Sequence, residues 1–187
     1  MRIVAGRWRG RTLVAPEGLA TRPTSDRARQ ALFDVLAHAE WAPELEGARV
    51  LDLFAGSGAL GFEALSRGAA SVLFVETDEA ARGAIRENAD ALGAMGATRV
   101  HRRDATDLGV RPASAGEAFD LVFLDPPYAK GLGERALAGL AEGGWLRPEA
   151  LAVFERGAEE PDPELPGWDV AGARSWGAAR VLFLRRP

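Results

Sequence analysis

A run of apolar residues in the middle of the chain ends in an acid, two prolines and an aromatic ring. Residues 119–124 are typical of a buried strand, and Asp125-Pro126-Pro127-Tyr128 follows at once. Neither proline can donate to a sheet, so the strand must stop at the edge where open α/β sheets bind ligands. The Asp125 carboxylate and the Pro126 carbonyl could accept both hydrogens of an amino group, and Tyr128 could stack on a flat ring. The motif predicts a corner that holds a nucleobase amine, with Asp125, Pro126 and Tyr128 as candidate catalytic residues.

A glycine-rich stretch supplies a second candidate site. Residues 56–61 match the pattern G-x-G-x-x-G, after a predicted strand at 50–54 and before a predicted helix. Glycines allow the backbone to approach a ligand closely, and Glu76, twenty residues after Gly56, could accept ribose hydroxyls. By itself the pattern does not separate a nicotinamide dinucleotide from other adenosine cofactors.

Four acids stand at the carboxyl ends of the first four predicted strands: Asp52, Glu76, Asp104 and Asp125. Asp52 would repel a pyrophosphate, but it suits a cationic ligand end such as an α-amino group or a sulfonium. S-adenosylmethionine carries both of these groups. Asp104 could accept from an adenine amino group. The set therefore favours S-adenosylmethionine over a nicotinamide dinucleotide.

The charge is distributed unevenly along the chain. Residues 1–30 contain seven arginines against two acids, a net charge of +5, whereas the remainder carries −9. A basic segment on an acidic body predicts contact with a polyanion. For Trp8, packing against the domain is an equal alternative, and Arg27 and Arg29 could instead contact the cofactor or Asp26. The candidate RNA-binding residues are Arg7, Trp8, Arg9, Arg11, Arg22, Arg27 and Arg29.

The pattern of elements predicts how these residues are positioned. Residues 1–15 are expected to form a hairpin with Arg7–Arg9 at its tip, residues 18–23 a linker, and Thr24 or Ser25 the cap of an amphipathic helix. Strands and helices then alternate, which is typical of a doubly wound, mostly parallel α/β sheet. We expect a basic arm at 1–23 and one domain at 24–187. The predicted strands are 50–54, 71–75, 99–102, 119–124, 151–154, 168–173 and 181–184, the last two as an antiparallel hairpin, and the predicted helices after the first are 59–67, 78–92 and 132–142.

The composition excludes several classes of site. The chain has no Cys and two His, so disulfides, thiolate metal sites and His-built metal sites are not expected. No apolar run approaches the roughly 20 residues of a membrane span. We expect a cytoplasmic, monomeric protein that uses no metal and no membrane.

Three sets of residues carry a resemblance to known enzymes. Residues 50–61 resemble the cofactor motif of class I methyltransferases, and residues 125–128 resemble the motif of amino-methyltransferases. A third set is similar to the RsmD family, bacterial enzymes that methylate guanine N2 in 16S rRNA: Arg2-Ile3-Val4 with Gly6, and the stretches 8–11, 22–24, 26–27, 31–33 and 63–68.

The resemblance implies a seven-stranded Rossmann-like methyltransferase fold and a substrate in the small ribosomal subunit or a late assembly intermediate. It also implies that S-adenosylmethionine is converted to S-adenosylhomocysteine, and that the N-terminal arm meets the rRNA. The cofactor contacts expected on this basis are Asp52, Ala55, Gly56, Ser57, Gly58, Glu76, Thr77, Asp104, Ala105 and Asp125.

Three alternatives remain open on sequence grounds. A DNA adenine-N6 or cytosine-N4 methyltransferase would use the same tetrapeptide, although the short chain lacks an obvious target-recognition insertion. A nicotinamide-dependent oxidoreductase would use the glycine-rich stretch alone. An RNA-binding scaffold without activity would require the four acids to be incidental.

Overall fold

A seven-stranded sheet forms the centre of the computed structural model, which describes residues 1–16 and 25–186. The strand order is β3-β2-β1-β4-β5-β7-β6, with β1 to β5 parallel and β7 antiparallel to both β5 and β6. The predicted α/β class and the closing antiparallel hairpin are confirmed. The strands are β1 Arg49–Leu53, β2 Ser71–Val75, β3 Thr98–His101, β4 Phe119–Leu124, β5 Leu146–Gly157, β6 Asp169–Trp176 and β7 Ala179–Arg185.

The helices cover both faces of the sheet. Asp78, like Ser25, accepts a backbone N–H of the first turn of the helix that follows it, which satisfies a donor without an intrahelical partner. Apolar residues of the first three helices join one core cluster and those of the fourth join the other. Within the described residues no helix is both long and apolar enough to cross a membrane. The helices are α1 Asp26–His38, α2 Ala59–Ser66, α3 Glu79–Ala91 and α4 Leu132–Glu142.

The N-terminal segment, residues 1–16, packs against the body of the domain. It contains one antiparallel bridge, between Arg2 and Thr12, in place of two paired strands. Ile3 and Leu13 are buried in the same core cluster as α1, so this segment contributes to the core rather than extending from it. The predicted linker at 18–23, the alternative cap Thr24 and the boundary between arm and domain lie outside the described residues, and that boundary stays a prediction.

The segment is held by hydrogen bonds to the last turns of α2. Glu63 accepts the N–H of Val4 at 2.8 Å and of Ala5 at 3.0 Å. The backbone at Gly6 has a φ of +81° and passes so close to the Ser66 carbonyl that a Cβ would lie 1.9 Å from its oxygen. Only glycine fits this position, because a side chain would be both strained and blocked.

Candidate active site

A cleft of about 810 Å³ lies where the parallel strands end. Its volume is within the range of about 300–1,000 Å³ that is usual for small-molecule sites. The position is the one that open α/β sheets use for ligands. The structure brings eight of the predicted site residues to its walls: Gly56, Glu76, Thr77, Asp104, Ala105, Asp125, Pro126 and Tyr128.

Glu76 joins the two loops on one side of the cleft. One of its carboxylate oxygens accepts the N–H of Gly56 at 2.8 Å and the other accepts the N–H of Asp78 at 2.9 Å. A carboxylate oxygen can accept more than one hydrogen bond, so these contacts orient Glu76 without exhausting it. Gly56 has a φ of +54°, and a Cβ there would meet nothing within 4 Å. The loop thus presents bare backbone to open space beside an oriented acid.

Asp52 has a different position from the one expected. It is buried and does not line the cleft; its carboxyl accepts the N–H of Gly61 at 3.0 Å. Burial raises the pKa of Asp52 well above its usual range, and the charges of Asp125 and Glu76 add to this shift. Asp52 therefore supports the first turn of α2, where Gly58 offers no side-chain cap. A direct contact with a ligand stays a prediction.

The remaining predicted residues of the glycine loop do not line the cleft. The N–H of Gly58 donates to the Ala55 carbonyl at 2.7 Å, which closes a tight turn. The Ser57 hydroxyl lies 3.5 Å from the Met1 sulfur. Ala55, Ser57 and Gly58 are not among the residues that line the cleft, so the structure shows them shaping the loop.

Asp104 also lines the cleft, after the end of β3 and next to the buried Ala105. One of its oxygens accepts both the backbone N–H and the hydroxyl of Thr106, each at 2.8 Å. The backbone hydrogen bond from Thr106, followed by its hydroxyl, lowers the pKa of Asp104. Asp104 is therefore an ionised acceptor with a defined orientation.

The Asp125–Tyr128 corner forms the third wall. Pro126 is buried, Asp125 and Tyr128 are half-buried, and Pro127 is exposed. Burial first, and the charge of Glu155 second, raise the pKa of Asp125 to about 8. Ala129, directly after the tetrapeptide, has a φ of +59°. A non-glycine residue in this region stores about 1–3 kcal/mol of strain and is common at functional sites.

Glu155 is a cleft residue that the sequence analysis missed. It lines the cleft, and its carboxylate accepts the Tyr128 hydroxyl at 2.7 Å. A signal was present, because Glu155 directly follows the apolar residues 151–154 just as the other acids follow their strands. Arg103 and Arg135 also line the cleft and were not predicted.

The predicted RNA-binding residues divide into two groups. Arg7, Arg9, Arg11 and Arg27 are exposed. Arg29 is buried: its side chain is only 1% exposed and pairs with Asp26 at 2.8 Å, which is one of the contacts left open for it. Contact of Arg29 with RNA stays a prediction that this burial does not support.

The Trp8 ring packs against the core cluster that contains the apolar residues of α1, α2 and α3. The Arg7 guanidinium lies 4.0 Å from the centroid of this ring. Of the two interpretations of Trp8, the structure supports packing against the domain rather than stacking on a base. Arg22 lies outside the described residues, so its contact with RNA stays a prediction.

Comparisons with known proteins agree with this architecture. The family model described as "Conserved hypothetical protein 95" matches residues 1–185. The chain is 41% identical to ribosomal RNA small subunit methyltransferase D of Escherichia coli (strain K12), over 91% of this chain and 82% of that protein. The protein of the same name from Haemophilus influenzae is 36% identical, over 95% and 89%. A solved structure from Escherichia coli, 38% identical, superimposes with a TM-score of 0.85 over 100% of this chain and 97% of that one.

Proposed function

Because this chain belongs to the RsmD family of ribosomal RNA small subunit methyltransferases, we propose that it transfers a methyl group from S-adenosylmethionine to the N2 amine of a guanine in 16S rRNA. The observation that carries the proposal is the meeting of Asp125 and Pro126 with Glu76 and Asp104 in one cleft. Asp125 and Pro126 suit an amino group, and Glu76 and Asp104 suit an adenosine. The substrate is the small ribosomal subunit or a late assembly intermediate, in the cytoplasm.

The cleft fits the cofactor in both shape and donor set. Its volume of about 810 Å³ leaves room for a nucleoside cofactor and a base together. Glu76 would accept the ribose hydroxyls, Asp104 the adenine amino group, and the bare backbone at Gly56 would permit close approach. When bound, S-adenosylmethionine supplies a methyl group on a positively charged sulfur.

The acceptor corner would make the amine reactive by positioning it. An amine on a base is a poor nucleophile, because its lone pair is delocalised into the ring. If the Asp125 carboxylate and the Pro126 carbonyl each accept one N2 hydrogen, the lone pair turns out of the ring plane toward the cofactor side of the cleft. Such positioning of acceptors can lower a barrier by several kcal/mol. Tyr128 would stack on the extruded base, a contact worth about 1–3 kcal/mol.

Asp125 is also suited to the proton that leaves. As the N–C bond forms and the bond between the methyl carbon and sulfur breaks, the positive charge passes from sulfur to N2, which must then lose one of its hydrogens. A base whose pKa is near the working pH is the most effective acceptor, and the pKa of Asp125 is raised to about 8 by burial and by Glu155. Asp125 would take this proton and release it to water after product leaves.

The exposed arginines of the N-terminal segment provide a surface for rRNA phosphates. Arg7, Arg9 and Arg11 lie within eleven residues of the N-terminus and are exposed. Asn88 of α3 bridges the same segment to the glycine loop, since its amide donates to both the Val14 and Ser57 carbonyls. We therefore expect RNA bound by the N-terminal segment to lie near the glycine loop.

The deciding experiment is mass mapping of modified bases. Small subunits from cells without this activity are incubated with the protein and labelled cofactor, beside duplex DNA as a second substrate. We expect one N2-methylguanine in 16S rRNA and no label in DNA. Methyl groups on adenine N6 or cytosine N4 of the DNA would instead establish the alternative amino-methyltransferase, and the Asp125→Ala variant should be inactive in either case.

A further inference from the structure

Two acids stand side by side in the acceptor corner. The last parallel pair between β4 and β5 joins Leu124 to Phe154. Asp125 directly follows the end of β4, and Glu155 directly follows Phe154 within β5, so the two acids come immediately after the last pair of this register. Adjacent strands lie about 4.8 Å apart, and residues in register point to the same face. Both residues line the cleft.

Tyr128 gives Glu155 a defined orientation. Its hydroxyl donates to Glu155 at 2.7 Å, which is the length of a strong hydrogen bond to a charged acceptor. Each carboxylate oxygen can accept further donors. This hydrogen bond fixes the Glu155 carboxylate relative to the Tyr128 ring. A base stacked on that ring would therefore present its edge to the Glu155 oxygens.

We propose that Glu155 selects the target base by accepting the N1–H of guanine, while Asp125 and the Pro126 carbonyl hold the N2 amine. This inference rests on the proposed function, because it concerns the same base in the same corner. N1–H and the N2 amine are neighbouring donors on one edge of guanine. Two neighbouring carboxylates, just beyond the last β4–β5 pair, match these two donors.

Adenine and cytosine present a different edge to the same acceptors. Each has an amino group beside a ring nitrogen that carries a lone pair, N1 in adenine and N3 in cytosine. That lone pair would face the Glu155 carboxylate, and no hydrogen would lie between them. A site built to accept a hydrogen rejects a base that lacks it, because the acceptor then meets a lone pair in place of a donor. Asp125-Pro126-Pro127-Tyr128 by itself reads only an amine on a ring, whereas Glu155 distinguishes guanine.

The charge on Asp125 gives an independent reason for this pairing. Glu155 is the second cause, after burial, of the raised pKa of Asp125. Two carboxylates that share a site disfavour each other's ionised form. Donors from both guanine nitrogens would offset this repulsion, while an adenine would relieve it at only one of the two.

The test compares Glu155→Gln with two other variants on subunits that carry either guanine or adenine at the position mapped above. Glutamine keeps the size and an oxygen for the Tyr128 hydroxyl, but it loses the charge and offers an NH2 to a ring nitrogen. We expect kcat/KM for guanine to fall about 10–100-fold and the guanine-to-adenine ratio of kcat/KM to fall at least tenfold. Binding of adenosylhomocysteine, measured by calorimetry, should stay within twofold. The matched control is Glu159→Gln. Glu159 is exposed, follows the end of β5 and does not line the cleft, so this variant should behave as the parent.

Tyr128→Phe separates base reading from positioning. It keeps the ring and the Glu155 carboxylate but removes the hydrogen bond between them, so activity should fall while guanine preference is retained. If Glu155→Gln lowers the rate but leaves the ratio unchanged, or leaves both unchanged, Glu155 does not read N1–H and the inference is wrong. If the parent enzyme methylates no guanine at all, the proposed function itself fails, which is a separate result.

Discussion

Glu63 is the buried acid on which the N-terminal segment depends. Its side chain is 0% exposed, and its two oxygens accept the N–H groups of Val4 and Ala5 at 2.8 and 3.0 Å. It also pairs with Arg67 at 2.8 Å and with Arg29 at 3.6 Å. A carboxylate is needed here because four donors converge on one group.

Glu63→Gln tests this role at nearly constant volume. The amide removes the charge and places an NH2 where one of the backbone N–H groups needs an acceptor. Breaking a buried ion pair costs about 3–5 kcal/mol, and the unmet donor, at about 1–3 kcal/mol, is part of the same loss. At about 2–4 °C per kcal/mol for a chain of this size, we expect the Tm to fall by about 6–20 °C.

Urea unfolding followed by tryptophan fluorescence measures the change. We expect a lower midpoint at an unchanged m-value, since the surface exposed on unfolding stays the same. The matched control is Glu87→Gln, an exposed glutamate on α3, which should change stability by less than about 0.5 kcal/mol. Hydrogen exchange of the Val4 and Ala5 amides should accelerate in the Glu63 variant. A loss below about 1 kcal/mol, or amides as protected as in the parent, would refute the reasoning.

Three further predictions concern the cleft and the basic surface. Burial is the chief cause that raises the pKa of Asp125 to about 8 in the folded protein. Between about pH 4 and about pH 8 the unfolded chain ionises this carboxyl more readily than the folded one, so stability falls as pH rises through that window. Asp125→Asn should lose methyl transfer, but in urea unfolding it should gain more stability over the parent at pH 8.5 than at pH 5. Asp52→Asn should keep stability within about 1 kcal/mol, because an amide oxygen can still accept the Gly61 N–H, whereas Asp52→Ala should lose about 1–2 kcal/mol; equal losses in thermal melts would contradict this. Arg9→Gln should reduce the slope of log K for rRNA binding against log salt concentration by about one unit. The control is Arg174→Gln, at an exposed arginine of β6. An equal slope for both variants would count against the N-terminal surface.

The alternation of apolar runs with amphipathic stretches was enough to predict the architecture. Each predicted strand overlaps an observed one, because parallel strands buried on both faces need continuous apolar residues. Pro126 and Pro127 marked the end of β4, and Ser25 and Asp78 marked helix starts, through local chemistry alone. The strand β5 is longer than the predicted 151–154, since it runs from Leu146 to Gly157 and includes the exposed residues 147–149.

The placement of buried charges could not be predicted in the same way. The bond between Val4 and Glu63 joins residues 59 positions apart, and no local pattern encodes such a contact. Arg29 lies in a basic stretch that suggested RNA, yet its side chain faces the core and pairs with Asp26. Charge along a sequence shows which ions are near one another in the chain, but burial depends on which surfaces pack together.

Local sequence is enough to predict the order of the elements, the strand-end acids and the proline corner, because turn chemistry and hydrophobic period act over a few residues. Which acids share the cleft depends on the fold. Asp52 is buried and accepts the Gly61 N–H instead of lining the cleft, and the register of β4 against β5 places Glu155 beside Asp125. Strand register depends on contacts between distant parts of the chain, so the acid that we infer to select the base became visible only in the folded sheet.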